Sequence, residues 1–536
     1  MQTRAVFAGV GRLTLAVCVM LTLGAAQRAR AQEEVEPVEG ETIPEATEES
    51  APIVKITPPS GALRAMAATC PPPDGTRPDP ALVNTDPFVL ARFGLKRVYE
   101  QLLKRAHVVG PSATTLYQQM WDSMDAASAA KFRAPHCDDN QSSINGFPVE
   151  CPRPETALKD TRPNMFVPVA LTNRFDLSPS DGANCGEYRI IYAMTPFDPS
   201  NRNLMILEGV LPNPKPGCGL DACRPVVNFW RDLSTLDVST ARGQRELAAR
   251  MERFYFTGIS GFSPVIHPNH YGMQGRGGYG GVNGGQIRTN MFVSGTTWQM
   301  REFKLARRCR HGRCRLLFEP SALGENPFPP LFNERAAAPD ARAADFLASF
   351  PDQTQNLITD EVNLITLNTD PRFNAGQSTS SNIEDDYVGQ AIAGLSAEGR
   401  SELTTSIRAE LTALGREHVS TLDVVQRAMT QSCAGCHMLA RNAPLSDDGR
   451  SGPFWPDVRP DGFVHIDENG FLSPGLWCAF LPFRRTVLDG FAASPATACT
   501  HNDGKPGHRC VVTRRQTLPS SSHLPLTVAG KLFAPN

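Results

Sequence analysis

The most specific chemistry in the sequence lies in one short segment, Gln431-Ser432-Cys433-Ala434-Gly435-Cys436-His437. Two thiols three residues apart on a helical turn can each form a thioether to a porphyrin vinyl group. A histidine directly after the second can swing its ring onto the iron from one face. This C-x-x-C-H spacing is that of covalent haem attachment. With 14 Cys and 11 His in 536 residues, an accidental match is expected in roughly 1% of chains of this composition. The same thiols could instead form a disulfide, a redox dithiol or a metal clip.

A helix must deliver these residues, and its signals are present. Ser420 followed by Asp423 forms a capping-box variant, Val419 and Val424 can staple the start, and Leu422, Val425 and Met429 make a buried stripe. This spacing predicts a helix running straight into Cys433. Before it, Leu403, Ile407, Leu411 and Leu414 keep helical period and Gly415 follows as a C-terminal stop. Residues 367–383 are small and polar, which marks a domain boundary near residue 376.

The segment 420–456 resembles the haem-binding part of a small class-I c-type cytochrome, through Cys433, Cys436, His437 and then Gly452-Pro453 after a polar loop. The resemblance implies one haem c per chain and His437 as an axial iron ligand. It also implies that the Pro453 carbonyl accepts a hydrogen bond from the axial histidine and makes that ligand more basic. The sequence departs from the family at the sixth ligand. No methionine follows Met438, and Met438 adjoins His437, so it cannot reach the opposite face of the ring. His465, in Gly462-Phe463-Val464-His465-Ile466-Asp467, is the best local candidate, on a short expected strand; His501, His508 and His523 follow. Two histidine ligands imply a lower potential than a histidine–methionine pair. An open position would instead suit small-molecule chemistry such as peroxide reduction. Trp455, Phe463, Phe471 and Trp477 could wall the porphyrin or simply fill a core.

Upstream, the pattern predicts a mixed α+β domain over residues 61–375, followed by a mainly helical, small cytochrome c-like domain over 376–536. Thr85-Asp86-Pro87 starts a helix carrying Phe88, Leu95, Tyr99, Leu102 and Ala106, and residues 112–126 make a second. The period then changes to two. Residues 165–171, 187–194, 204–210, 287–293 and 298–305 read as strands, with Pro168 demoting the first to an edge or a bulge. Residues 244–254 insert one helix, and Cys309-Arg310-His311-Gly312-Arg313-Cys314 suggests a hairpin clipped by its own disulfide. The stretch V-A-L-T-N-R-F-D-L near residue 170, with G-E-Y-R-I-I-Y after it, resembles segments of uncharacterised exported bacterial proteins and implies no function.

Other groups offer weaker chemistry. Nearest-neighbour pairing of the cysteines gives Cys137–Cys151, Cys218–Cys223, Cys309–Cys314 and Cys499–Cys510, and leaves Cys70, Cys185 and Cys478. Cys499-Thr500-His501 and His508-Arg509-Cys510 could hold zinc or close a disulfide. His267-Pro268-Asn269-His270 precedes a glycine-rich loop that lacks the phosphate-loop and dinucleotide fingerprints. Asp176, Glu187 and Arg189 are acid, base or ion-pair candidates, and no Gly-x-Ser-x-Gly or His-Glu-x-x-His occurs.

The N-terminus supplies the compartment. Arg4 and Arg12, an apolar run over residues 13–26 and Ala29-Arg30-Ala31 together read as a signal peptide spanning 1–31. Residues 32–60 are an acidic linker, with eight glutamates and no Lys or Arg between 32 and 50. Losing the four signal-region arginines takes the net charge from −2 to −6, which excludes a global basic field for nucleic acid. No later run approaches the length of a membrane span. The expectation is an exported protein, periplasmic, cell-surface or extracellular. It would be a monohaem c-type cytochrome exchanging electrons with a redox protein or a small-molecule donor or acceptor, or the electron outlet of a haem c-dependent oxidoreductase. The alternative is a disulfide-stabilised secreted or surface binding module without haem.

Overall fold

A computed structural model describes residues 77–198, 201–272, 284–293, 297–336, 340–379, 386–440, 443–446, 453–456 and 465–496. These all belong to one compact unit, Ile53–Asn536. The signal-like segment, the acidic linker, Cys70, most of the glycine-rich loop, Gly452, Phe463, the cysteines 499 and 510 and the histidines 501, 508 and 523 lie outside the described residues.

The chain is α+β, built on one antiparallel sheet. Its strands are β1 (Val83–Asn84), β4 (Phe166–Arg174), β5 (Asn184–Met194), β6 (Asn201–Pro212), β7 (Gln286–Val293), β8 (Thr297–Arg310), β9 (Arg313–Ser321) and β10 (Ser378–Thr379). The order is β1-β4-β5-β6-β7-β8-β10, with β9 also paired to β8. Two short strands, β2 (Ser143–Ile144) and β3 (Phe147–Pro148), form a separate hairpin. All five strands expected from the alternation are present. Pro168 sits at a bulge, where the β4–β5 register shifts between Pro168 and Ala170, because proline has no N–H for the ladder. The Cys309–Cys314 disulfide closes the β8–β9 hairpin.

The two faces of the sheet differ because side chains alternate along each strand. In β5, Tyr188, Ile190 and Tyr192 point one way, while Glu187, Arg189 and Ile191 point the other. The aromatic face packs on α1 (Leu95–Ala106), α2 (Ala113–Asp122), α3 (Arg224–Leu233) and α4 (Ala241–Glu252). Tyr188 stacks on Trp230 with ring centroids 5.6 Å apart, and the Tyr99 hydroxyl lies 3.3 Å from the Met205 sulfur. The other face carries the cross-strand pairs Arg189↔Glu208 and Arg288↔Glu302. Arg189, Glu208 and Glu302 are buried, and the Arg288 side chain is 13% exposed.

Beyond β10 the chain is helical: α5 (Glu402–Ala413), α6 (Thr421–Met429) and α7 (Leu481–Ala493). Leu403, Ile407 and Leu411 are buried, whereas Leu414 is 39% exposed. Gly415 adopts φ +63°, the left-handed conformation that stops α5 as expected. The capping box of α6 is complete, with the Ser420 Oγ accepting from the Asp423 N–H at 3.0 Å and the Asp423 carboxylate accepting from the Ser420 N–H at 3.0 Å. One apolar core runs from Ala81 to Phe491 and so includes residues from both sides of position 376.

Three expectations need correction. The helix begun at Asp86-Pro87 stops at Leu90, and α1 starts afresh after Gly94. Helix α6 ends at Met429 instead of reaching Cys433, because Ser432 donates its hydroxyl to the Met429 carbonyl and accepts the Gly435 N–H, opening a separate turn. Cys223 pairs with Cys185, 38 residues away, and not with Cys218; Cys218 and Cys478 are themselves disulfide-bonded. The fold sets β5 against the start of α3 and so brings distant cysteines together, which sequence proximity cannot register. The Cys137–Cys151 bridge is present as expected.

Candidate functional site

Residues Gly435–Leu439 form a wide helical turn closed by the Ala440 N–H donating to the Gly435 carbonyl at 2.7 Å. Such wide turns reorient one or two side chains and are common at functional positions. Two side chains hold the start of the turn, one of them from the sheet. Asn326 accepts the Cys433 N–H at 3.0 Å, and Ser378 of β10 accepts the Ala434 N–H at 3.1 Å. Trp298, Met300 and Leu323 enclose Cys433 and Ala434 in a small apolar cluster of their own. Gly435 is required by space, since a Cβ there would lie 1.8 Å from the Met429 carbonyl oxygen.

Cys433 and Cys436 carry thiols, 8% and 0% exposed. Burial pushes the Cys436 thiol well above its usual range, and Cys433 beside it adds to the effect. The His437 ring stacks on Trp298, with centroids 5.2 Å apart and planes 22° from parallel. His465 arrives from the far end of the chain. Its ring centroid is 5.1 Å from that of His437, and its Nε2 lies 3.6 Å from the Cys436 Sγ. Ser473 fixes that ring at Nδ1 (3.2 Å) and donates its backbone N–H to the His465 carbonyl (2.8 Å). Desolvation holds the His465 imidazole neutral, its pKa well below the usual histidine range, with His437 and Arg484 adding smaller effects. The ligating atoms of Cys436, His437 and His465 all fall within 4.8 Å of one another.

The structure thus joins Cys436, His437 and His465. His465 lies at an isolated bridge, Ile466 with Leu472, and not on a regular strand. The Pro453 carbonyl accepts the Leu445 N–H at 2.8 Å. Of the aromatic candidates, Trp455 is buried and donates Nε1–H to the Cys436 carbonyl at 3.1 Å, while Phe471 is 60% exposed. His267 and His270 do not join this cluster. His270 braces its loop through Ser263 and the Val265 carbonyl, both at 3.1 Å.

The sequence reading missed the other wall of the site. His437 and His465 face a pocket against the charged side of the sheet, bordered by Arg174, Arg189, Asn290 and Arg484. Asp176, one of the ion-pair candidates, accepts from Arg174 Nε at 3.0 Å and Nη2 at 2.9 Å. Glu187 pairs with Arg189, which reaches Glu208 at 3.4 Å. The available signal was charge at alternate positions of otherwise apolar strands, as in G-E-Y-R-I-I-Y. Comparison of the chain with protein-family models, curated proteins and solved structures finds no match.

Proposed function

We propose that this chain is an exported electron-transfer protein with one covalently held haem c. Cys433 and Cys436 would be the attachment thiols and His437 the first axial ligand, with His465 as the second. The observation that carries this reading is His465. A residue chosen from sequence as the sixth-ligand candidate lies beside His437, on the same pocket, with its ring orientation already fixed by Ser473. The disulfides of the sheet domain agree with an oxidising compartment. Among the described residues no helix is long and apolar enough to cross a membrane.

The donor set fits such a group: two thiols at attachment spacing, and two imidazoles on one pocket with the protonation of His465 held neutral. The space is tighter. The pocket measures about 40 Å³, whereas sites for molecules of drug size run to roughly 300–1,000 Å³. A porphyrin therefore needs the His465 segment to sit farther from the sheet than it does here. Both thiols are also too buried for attachment after this packing forms, so the thioethers must be made on a more open chain. When bound, haem supplies reversible one-electron chemistry. The chain's own part is to orient His437 against Trp298, fix His465 through Ser473, and shut water away behind Trp455 and Phe480. A pyridine haemochrome spectrum of c type, from protein exported alongside haem-attachment machinery, tests the reading. A colourless product contradicts it.

The compactness of Cys436, His437 and His465 favours a second reading, a single metal ion held by one thiolate and two imidazoles. One sulfur and two imidazoles suit copper or zinc. No opening of the pocket is then required. Elemental analysis of the purified protein separates the two, since only the first leaves iron bound after acid–acetone extraction.

A further inference from the structure

The pocket beside His437 and His465 contains a cation without an adequate partner. Arg174 and Arg189 lie within 3.4 Å of carboxylates, as do Arg288 and Lys304, which each reach Glu302. Arg484 differs. It is 5% exposed, its Nε makes no hydrogen bond among the described residues, and its ion pair is with Asp176 at 3.8 Å. That carboxylate is already forked by Arg174. A guanidinium stays protonated at any ordinary pH and cannot escape burial by losing its charge. Burying it without a counter-charge is costly, so such a group is normally matched by an anion.

We infer that this pocket is an anion site, in which Arg484, flanked by Arg174 and Arg189, takes a small carboxylate or oxyanion beside His437 and His465. The planar fork of a guanidinium matches a carboxylate or nitrite edge through two parallel N–H···O bonds. Size narrows the class. A volume of about 40 Å³ admits a head group of about three heavy atoms, one water molecule needing about 10–15 Å³ of such space. The five apolar residues Ile191, Leu204, Ile206, Ile466 and Leu476 border the same space and would strengthen the pairing by excluding water. The occupant is either a free anion of formate or nitrite size, or the propionate carboxylate of a haem held by His437. Only the second source rests on the function proposed above.

Calorimetric titration of the full chain with sodium nitrite and sodium formate, in a buffer free of other small anions, tests the site. Saturable binding near one per chain is expected, weakened at least tenfold in Arg484→Leu and less in Arg484→Lys. If neither anion binds, the propionate source requires that Arg484→Leu lower the midpoint potential of the haem-loaded protein, because a cation beside the iron has been removed. No anion binding together with an unchanged potential overturns the proposal, as does no anion binding by a chain that carries no haem. Should Arg484→Leu fail to fold, the wild-type and Arg484→Lys titrations decide. Haem content is read separately from the absorption spectrum, so failure of the anion site and failure of the haem reading are distinguishable.

Discussion

His465 Nε2 lies 3.6 Å from the Sγ of Cys436, although 29 residues separate them in sequence. The contact sets the C-terminal segment against the C-x-x-C-H turn and gives His437 a second imidazole as neighbour. It also defines what replacing His465 should do. If His465 is the second axial ligand, His465→Ala opens a coordination position. The reduced variant should then bind carbon monoxide readily and shift its visible bands, while the reduced wild type binds it poorly. Equal binding by the two proteins would remove His465 from the coordination sphere.

Gly435 should not tolerate a side chain. Its Cβ would collide with the Met429 carbonyl, a backbone atom tied to the end of α6. Gly435→Ala is expected to destabilise the fold by about 1–3 kcal/mol and to lower haem incorporation. Urea unfolding monitored by circular dichroism measures the first effect, and an unchanged midpoint would contradict the packing described.

The Cys185–Cys223 bridge ties β5 to the start of α3 across a 38-residue separation. A loop of that length corresponds to about 3–4 kcal/mol of chain-entropy stabilisation. Peptide mapping without reduction should recover Cys185 linked to Cys223. The double replacement Cys185→Ala with Cys223→Ala should lower stability by roughly that amount. Recovery of Cys218 linked to Cys223 would contradict the pairing.

His270 contributes a pH dependence. Burial, aided by His267, pushes its pKa down to about 3 from the usual 6.5. The folded protein keeps His270 neutral between those values while the unfolded chain takes up a proton, so stability falls as pH drops from about 6.5 towards 3. The slope from this one group approaches about 1.4 kcal/mol per pH unit. His270→Gln should flatten the wild-type decline between pH 6 and 4; parallel curves would show that His270 is not neutral in the fold.

Much of the architecture is legible in the sequence, because each strand has its own period-two pattern and α5 and α6 carry their own caps and stripes. The Ser420–Asp423 box and the Gly415 stop are local features, and local geometry settles them. What could not be read is whatever long-range pairing decides. The alternation of Glu187, Arg189 and Ile191 against Tyr188, Ile190 and Tyr192 announces two faces, yet nothing in the strand says that its charged face will lie opposite His437. Arg484, on a C-terminal helix, and Arg174, on β4, meet at Asp176 only through the sheet's fold. The same holds for Cys185 and Cys223. Trp298 meets a histidine 139 positions later only because β8 lies behind the turn.

The intact mass of the exported, denatured protein tests the central claim most directly. The account predicts a species heavier by about 616 Da than the processed polypeptide, with the added mass on the peptide containing Cys433 and Cys436. A polypeptide without that addition, with Cys433 bonded to another sulfur, would contradict it.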